Sequence, residues 1–201
     1  MSKGLKITLG ILAAIVLLAV MTIGWAVGTY NKLVRADEGV RGAWSQVENQ
    51  YQRRFDLIPN LVETVKGYAK QEREVLENVT AARASVGQLK VTPELIRDPQ
   101  AFSRFQQAQD GLGSALSRLL VVTENYPNLK SNENFLTLQS QLEGTENRIA
   151  VERRRFNETV QAYNISIRTF PTSMIAGFGN FREAQYFKSA AGAEQAPQVK
   201  F

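Results

Sequence analysis

One uninterrupted apolar stretch, "ITLGILAAIVLLAVMTIGWAV" from Ile7 to Val27, contains no charged residue. As a helix, about 21 residues at 1.5 Å per residue extend about 30 Å, which matches the hydrocarbon thickness of a bilayer. The alternative is a cleaved signal peptide, whose apolar region is usually roughly half as long. Trp25 and Tyr30 lie at one end, where aromatic rings favour the membrane–water interface. We therefore predict an N-terminal tail over 1–6 and a transmembrane helix over 7–28.

Basic residues on both flanks leave the orientation of this helix nearly undetermined. Lys3 and Lys6 precede it, whereas Lys32, Arg35 and Arg41 follow it. The positive-inside rule is therefore close to a tie. A short charged tail is the simpler insertion signal, so we expect a single-pass membrane protein with its body outside the cytoplasm.

Gly24 and Gly28 form a GxxxG motif within the predicted span. Two small residues at this spacing let two helix backbones approach closely. Glycine is common in membrane helices, so a helix without any such contact is the other interpretation. The motif leads us to expect a homo-oligomer.

The 201 residues contain no Cys and no His, which removes most catalytic and metal chemistry. Zinc centres, Cys–His nucleophiles and Ser–His–Asp triads each need a side chain that is missing. Acid–base catalysis would rest on carboxylates alone, and no pair is conspicuous. We therefore predict no enzyme, no metal and no cofactor. The 24 basic and 19 acidic residues are too balanced to predict a nucleic-acid partner.

Beyond the span, apolar residues recur every three or four positions, which predicts helices rather than strands. Prolines divide this pattern into four segments. Asp98, and Ser131 or Asn132, have the character of helix N-caps. Four helices with short connections pack most simply up and down. The fold class we predict is all-α: an N-terminal transmembrane helix followed by an antiparallel bundle of about four long helices over 29–168.

The stretch "RRFDLIPNLVETVKGYA", from Arg53 to Ala69, contains Pro59 in the middle of a helical pattern. Proline lacks an N–H and disfavours the α region for the residue before it. We therefore predict a corner between two helices at Pro59. Arg53, Arg54 and Asp56 would then lie beside the corner, either as ion-pairing groups that fix the angle or as a recognition patch.

Three charged residues, Glu72, Glu146 and Arg153, fall on the stripes that should face the bundle interior. Buried charges must be paired, so we predict an ion pair between Glu72 and Arg153 that aligns the helices. The alternative is an ion- or lipid-binding site formed by these residues.

The segment 169–187 is apolar but broken by glycines and a proline. Two interpretations remain open: it fills the bundle core, or it presents an aromatic surface to a membrane or partner. Residues 188–201 have the composition of a flexible tail. The candidate interaction residues of the segment are Phe170, Met174, Phe178, Phe181, Arg182, Tyr186 and Phe187.

Four strings resemble the LemA family: "YNKLV" (30–34), "AWSQVENQYQRRFDLIPNLVETVKGYAKQE" (43–72), "ENYPNLKSNENFLTLQSQLEGTENRIAVERRRFNETVQAYN" (124–164) and "FPTSMIAGFGNFREAQYF" (170–187). The resemblance implies an N-terminally anchored bacterial membrane protein with a helical-bundle body. Some relatives are associated with membrane remodelling, including magnetosome membranes. Gln71 departs from the family, where many members have His, so a metal or proton role at this position is not carried over.

Together, these observations predict a non-enzymatic membrane scaffold that contacts the lipid bilayer through one helix. It would bind other membrane proteins or its own copies, with a role in envelope maintenance or membrane remodelling. An ion- or lipid-binding module inside the bundle is the alternative function.

Overall fold

The computed structural model describes residues 3–69, 71–89 and 91–188, and these contain helices but no strand. The predicted flexible tail therefore lies outside the described residues, apart from Lys188. The elements are α1 (Lys3–Tyr68), α2 (Arg73–Gly87), a 3-10 turn (Leu95–Arg97), α3 (Pro99–Thr123), α4 (Pro127–Lys130), α5 (Glu133–Arg168) and α6 (Thr172–Phe178).

The long helices run alternately up and down, as predicted. α1 packs most extensively against α5. Their antiparallel register follows from two contacts: Arg54 bonds to Glu146, and the ring of Trp44 lies 5.6 Å from that of Phe156. α2 returns antiparallel beside the last third of α1, and α3 ascends again. The prediction of an all-α fold with an antiparallel bundle is confirmed.

α1 extends 66 residues without interruption. Its N-terminal part is long and apolar enough to cross a membrane, and no residue of its most apolar window is buried in the bundle. Its C-terminal half supplies buried side chains from Leu33 to Val65. The candidate span and one wall of the bundle are therefore the same helix, roughly 100 Å long.

The predicted corner at Pro59 is wrong, because α1 continues through this residue. Proline leaves the carbonyl of Phe55, four residues earlier, without its helical donor. Here Arg83 of α2 donates from Nε to that carbonyl at 3.2 Å, and its guanidinium lies 3.8 Å from the centre of the Phe55 ring. A side chain from the neighbouring helix thus replaces the missing bond, and the chain turns only after Tyr68.

Replacing Arg83 with alanine is expected to lower the free energy of unfolding by about 1–2 kcal/mol, because the Phe55 carbonyl then loses its donor. Denaturant unfolding of the full chain in mild detergent, followed by helical circular dichroism, measures the change. Arg73→Ala on the same helix is the control, since Arg73 is exposed and should leave stability unchanged. Equal behaviour of the two variants would contradict this account of how Pro59 is tolerated.

Two clusters of buried side chains fill the bundle along its length. The cluster nearer the candidate span centres on aromatic residues, with Trp44 touching Phe102, Phe105 and Phe156. The distal cluster is mainly aliphatic and joins α1, α2, α3 and α5 around residues such as Leu61. A polar layer separates the two clusters and is described below.

Two helix starts follow the sequence prediction. The Asp98 side chain accepts hydrogen bonds from the backbone N–H groups of Gln100 and Ala101 and thereby caps α3. The Asn132 side chain accepts from the N–H of Phe135 at 3.0 Å and caps α5. These caps satisfy N–H groups that have no partner within the helix.

Candidate functional site

Arg54 lies in the middle of the bundle with only 4% of its side chain exposed. Its Nη1 donates to Glu146 Oε1 of α5 at 2.9 Å. Its Nη2 donates to the backbone carbonyl of Gln109 on α3 at 3.1 Å and also to the side-chain oxygen of Gln109. One guanidinium therefore ties α1, α3 and α5 together at a single level, which we call the polar layer.

Tyr51 borders the polar layer, one helical turn before Arg54, and its ring centre lies 5.1 Å from the guanidinium carbon. Within the described part of the chain, neither the Tyr51 hydroxyl nor Arg54 Nε has a hydrogen-bond partner. Burial raises the pKa of Tyr51 to about 12, so the hydroxyl stays protonated at neutral pH. The layer thus combines the ion pair of Arg54 and Glu146 with the neutral groups of Gln109 and Tyr51.

The predicted ion pair between Glu72 and Arg153 is wrong. Because α1 continues past Pro59, Glu72 falls in the turn before α2, at the end of the bundle away from the candidate span. There it accepts a hydrogen bond from the Tyr126 hydroxyl at 2.8 Å. Arg153 instead lies beside Asp110 of α3 at 3.3 Å and over the ring of Phe187.

Arg53, Arg54 and Asp56 do not form one surface. Arg54 points into the bundle, whereas Arg53 and Asp56 are exposed on the outside of α1. Asp56 accepts a hydrogen bond from Gln52 on the same helix at 2.8 Å. Consecutive helical positions differ by about 100° in direction, which separates the two arginines.

A second polar cluster lies at the end of the bundle next to the candidate span. Arg97, from the 3-10 turn, donates to the carboxylate of Asp37 on α1 and, at 2.8 Å, to the backbone carbonyl of Arg182. The hydroxyl of Tyr163 on α5 donates to the same carbonyl at 3.0 Å. Burial raises the pKa of Tyr163, although Arg97 opposes this shift. The cluster holds α1, α5 and the C-terminal segment together.

Residues 181–188, which we call the returning segment, run back along the bundle without forming a helix or a strand, and two asparagines of α5 hold them. Asn164 donates to the carbonyl of Ala184 at 2.9 Å and accepts from its N–H at 3.0 Å. Asn157 makes the same pair of bonds to Phe187, both at 2.9 Å. The Phe187 ring, 6% exposed, completes the aromatic cluster around Trp44.

The two interpretations of the segment 169–187 therefore apply to different parts of it. Phe181 packs edge-on against Tyr30 with ring centres 5.6 Å apart, and Phe187 fills the core. Phe170, Met174 and Phe178 are 76%, 56% and 88% exposed. Arg182 and Tyr186 belong to the returning segment and are exposed.

The chain direction reverses between α6 and the returning segment in a tight turn. Gly179 is required there, because a Cβ atom would lie 2.5 Å from the ring of Phe181 and 3.1 Å from that of Tyr30. Asn180 follows with a φ of 54°, a left-handed conformation that asparagine tolerates better than most residues. The turn therefore seats the end of α6 directly beside Tyr30.

Gly24 and Gly28 lie on the surface of the candidate span, and no atom comes within 4 Å of a Cβ added at either position. The bundle does not use this surface, so it stays open to lipid or to another helix. Whether a second copy packs there remains a prediction.

The sequence pattern singled out Arg54 and Glu146 but did not pair them with each other. It missed the residues that organise the second polar cluster and those that hold the returning segment. Gln109 offered a clue, as a polar residue on the apolar stripe of α3. Asn157 and Asn164 are seven residues apart, which places them on one face of α5 two turns apart. Asp37 and Arg97 gave no clue, because their partners are far apart in sequence.

The sequence model of the LemA family matches residues 43–201, well over half of the chain. Magnetosome protein MamQ of Magnetospirillum gryphiswaldense is 29% identical over 174 residues, which cover 79% of this chain and 64% of MamQ. Protein LemA of Metamycoplasma hominis is 25% identical over 165 residues, which cover 80% of this chain and 71% of that protein. The aligned region thus spans slightly less than two thirds of MamQ.

Proposed function

Because this chain belongs to the LemA family, we propose that it is a non-enzymatic scaffold held in the membrane by one transmembrane helix. It binds membrane proteins or further copies of itself at the membrane surface. We assign it to the bacterial inner membrane, with the bundle on the extracytoplasmic side. Relatives named as magnetosome proteins are consistent with a part in membrane remodelling or envelope maintenance.

The continuity of α1 is the observation that carries this proposal. The apolar stretch up to Val27 and the first buried bundle residue, Leu33, belong to one helix without a linker. A helix of this kind transmits its tilt and height to whatever it carries, whereas a flexible linker would not. The bundle is therefore presented to neighbours at a fixed distance from the bilayer, as a scaffold requires.

The polar layer supports a structural role more than a ligand site. Arg54 already has partners in Glu146 and Gln109, so its charge is not left for an incoming anion. The alternative function, an ion- or lipid-binding module inside the bundle, gains no comparable support. The open glycines of the candidate span favour self-association as one form of scaffolding.

Inserting a flexible Gly/Ser linker between Val27 and Gly28 tests the proposal. In native membranes, the unmodified chain is expected to yield discrete crosslinked products with its own copies or with membrane proteins. The insertion should abolish or scatter these products, because the bundle then loses its fixed height. Mass spectrometry identifies the crosslinked chains.

The matched control carries the same linker appended after Phe201, which leaves α1 unchanged and should preserve the crosslinks. Recovery of the unmodified chain only as an uncrosslinked monomer, or in the soluble fraction, would contradict the scaffold. If the crosslinked products are the same after the insertion, a flexible tether to the membrane is enough for these contacts. The rigid continuity of α1 would then not support the scaffold.

A further inference from the structure

Three large apolar side chains near the candidate span stay exposed, although the bundle has buried most of its other large apolar residues. Met174 and Phe178 are four residues apart and share one side of α6, and Phe170 lies in the turn before the helix. We call them the α6 face. Ala176, on the other side of α6, is 3% exposed and packs in the core. The helix is thus anchored by one side and open on the other.

The level of α6 along α1 is fixed by contacts with Tyr30. Gly179, directly after α6, would bring a Cβ within 3.1 Å of the Tyr30 ring, and Phe181 packs on the same ring. Tyr30 lies about 4.5 Å beyond Val27 along the helix axis. The headgroup region on each side of a bilayer is roughly 5–7 Å thick. A span that ends near Val27 therefore places the end of α6 within the headgroup layer.

The direction of α5 also places α6 near the end of the candidate span. α5 runs towards the candidate span, and its residue Ile167 packs in the same cluster as Leu33 of α1. Arg168 ends α5, so Phe170 lies at the membrane end of the bundle, beyond this packed layer. Ile165, in the last turn of α5, is also 58% exposed.

Charges around this end favour an anionic surface. Five exposed basic residues there outnumber the exposed acidic residues Glu38, Glu94 and Glu183. Arg41 pairs with Glu38, Arg168 pairs with Glu183 and Arg97 pairs with Asp37, so a net positive charge remains. Cationic side chains beside an apolar face are typical of segments that lie in the interface of an anionic bilayer. The basic residues are Lys32, Arg35, Arg41, Arg168 and Arg182.

From this position, exposure and charge, we infer that the α6 face inserts into the headgroup–acyl boundary of the same bilayer that α1 crosses, as a second attachment point. This inference rests on the proposed membrane anchorage. A single helix leaves a bundle free to tilt and to rotate about the helix axis. Contact through α6, to one side of α1, fixes both the tilt and the face that the bundle turns towards the bilayer.

The absence of cysteine in the chain makes a direct test possible. A nitroxide label is attached to Phe178→Cys in the full-length protein, reconstituted in vesicles of phosphatidylcholine with phosphatidylglycerol as the anionic component. Collisions with oxygen and with a water-soluble nickel chelate report the depth of the label. We expect the label to favour oxygen over nickel, as at the headgroup–acyl boundary. Met174→Cys provides the same measurement with Phe178 intact.

Val121→Cys is the matched control. Val121 is 67% exposed and lies near the end of α3 that is farther from the candidate span, so a label there should be accessible to nickel. A label at position 178 that is as accessible to nickel as the label at 121 overturns the inference. A label shielded from both reagents also overturns it, in favour of a second copy of the chain covering α6.

A label at Ile15→Cys separates this inference from the proposed anchor. If that label lies in the hydrocarbon while the label at 178 lies in water, the anchor stands and the α6 contact is wrong. If the label at 15 also lies in water, the transmembrane helix itself is wrong and both proposals fail.

Discussion

Replacing Trp44 with alanine should lower the free energy of unfolding of the bundle by about 4 kcal/mol. Trp44 is 4% exposed, and its ring contacts aromatic side chains from α3, α5 and the returning segment. The substitution leaves a cavity where these elements meet, and the rigid rings around it cannot close the space. The loss therefore combines the transfer of a large apolar group with a residual void.

Thermal unfolding of the full chain in mild detergent, followed by circular dichroism, provides the measurement. A loss of this size should lower the melting temperature by roughly 10 °C. Trp25→Ala is a control of the same residue type, since Trp25 lies in the candidate span outside the bundle. It should leave the transition unchanged. A shift for Trp44→Ala no larger than that for Trp25→Ala would show that this cluster is not the centre of the core.

The second large effect is expected at Arg54. Its replacement by alanine should cost about 3 kcal/mol, because a large buried side chain is removed and the buried Gln109 loses its partner. Arg54→Lys should recover only part of the loss, since an ammonium group cannot reproduce the flat two-pronged geometry of guanidinium. Denaturant unfolding measures both variants, with the exposed neighbour Arg53→Ala as the control.

A double replacement tests whether the polar layer aligns the helices or adds stability. Arg54→Met combined with Gln109→Leu removes both buried members together and should restore most of the stability lost in Arg54→Ala. If the double variant is no more stable than Arg54→Ala, the bonds to Arg54 contribute net stability and the alignment interpretation is wrong. If the double variant is stable but forms different crosslinked products in membranes, the polar layer acts by fixing how the helices are aligned.

The sequence predicts correctly those structural elements that depend on residues close together in the chain. The apolar run up to Val27, the three- and four-residue spacing of the stripes and the caps at Asp98 and Asn132 each depend on residues a few positions apart. Such features predict the fold class, the number of long helices and their up-and-down order. The end of α5 before Pro171 follows from the same local rule that failed at Pro59.

The predictions that were wrong or incomplete all involve residues whose contact partners are distant in sequence. Pro59 stays within α1 because Arg83 supplies the donor that the helix lacks, and nothing near Pro59 indicates this. The error at Pro59 also made the predicted ion pair wrong. Because the chain turns later than predicted, Glu72 lies at the far end of the bundle, away from Arg153. Likewise, the division of the segment 169–187 into buried and exposed parts depends on Asn157 and Asn164, which the segment itself does not contain.

The return of Phe187 to Trp44 has a consequence for biosynthesis. Trp44 is translated early, shortly after the apolar stretch that enters the membrane, whereas Phe187 is translated long after it. The aromatic cluster therefore cannot be completed until nearly the whole body has left the ribosome. In the proposed anchorage, insertion of the candidate span thus comes before closure of the core, and a nascent chain halted before Phe187 should expose the aromatic rings of the cluster to chaperones.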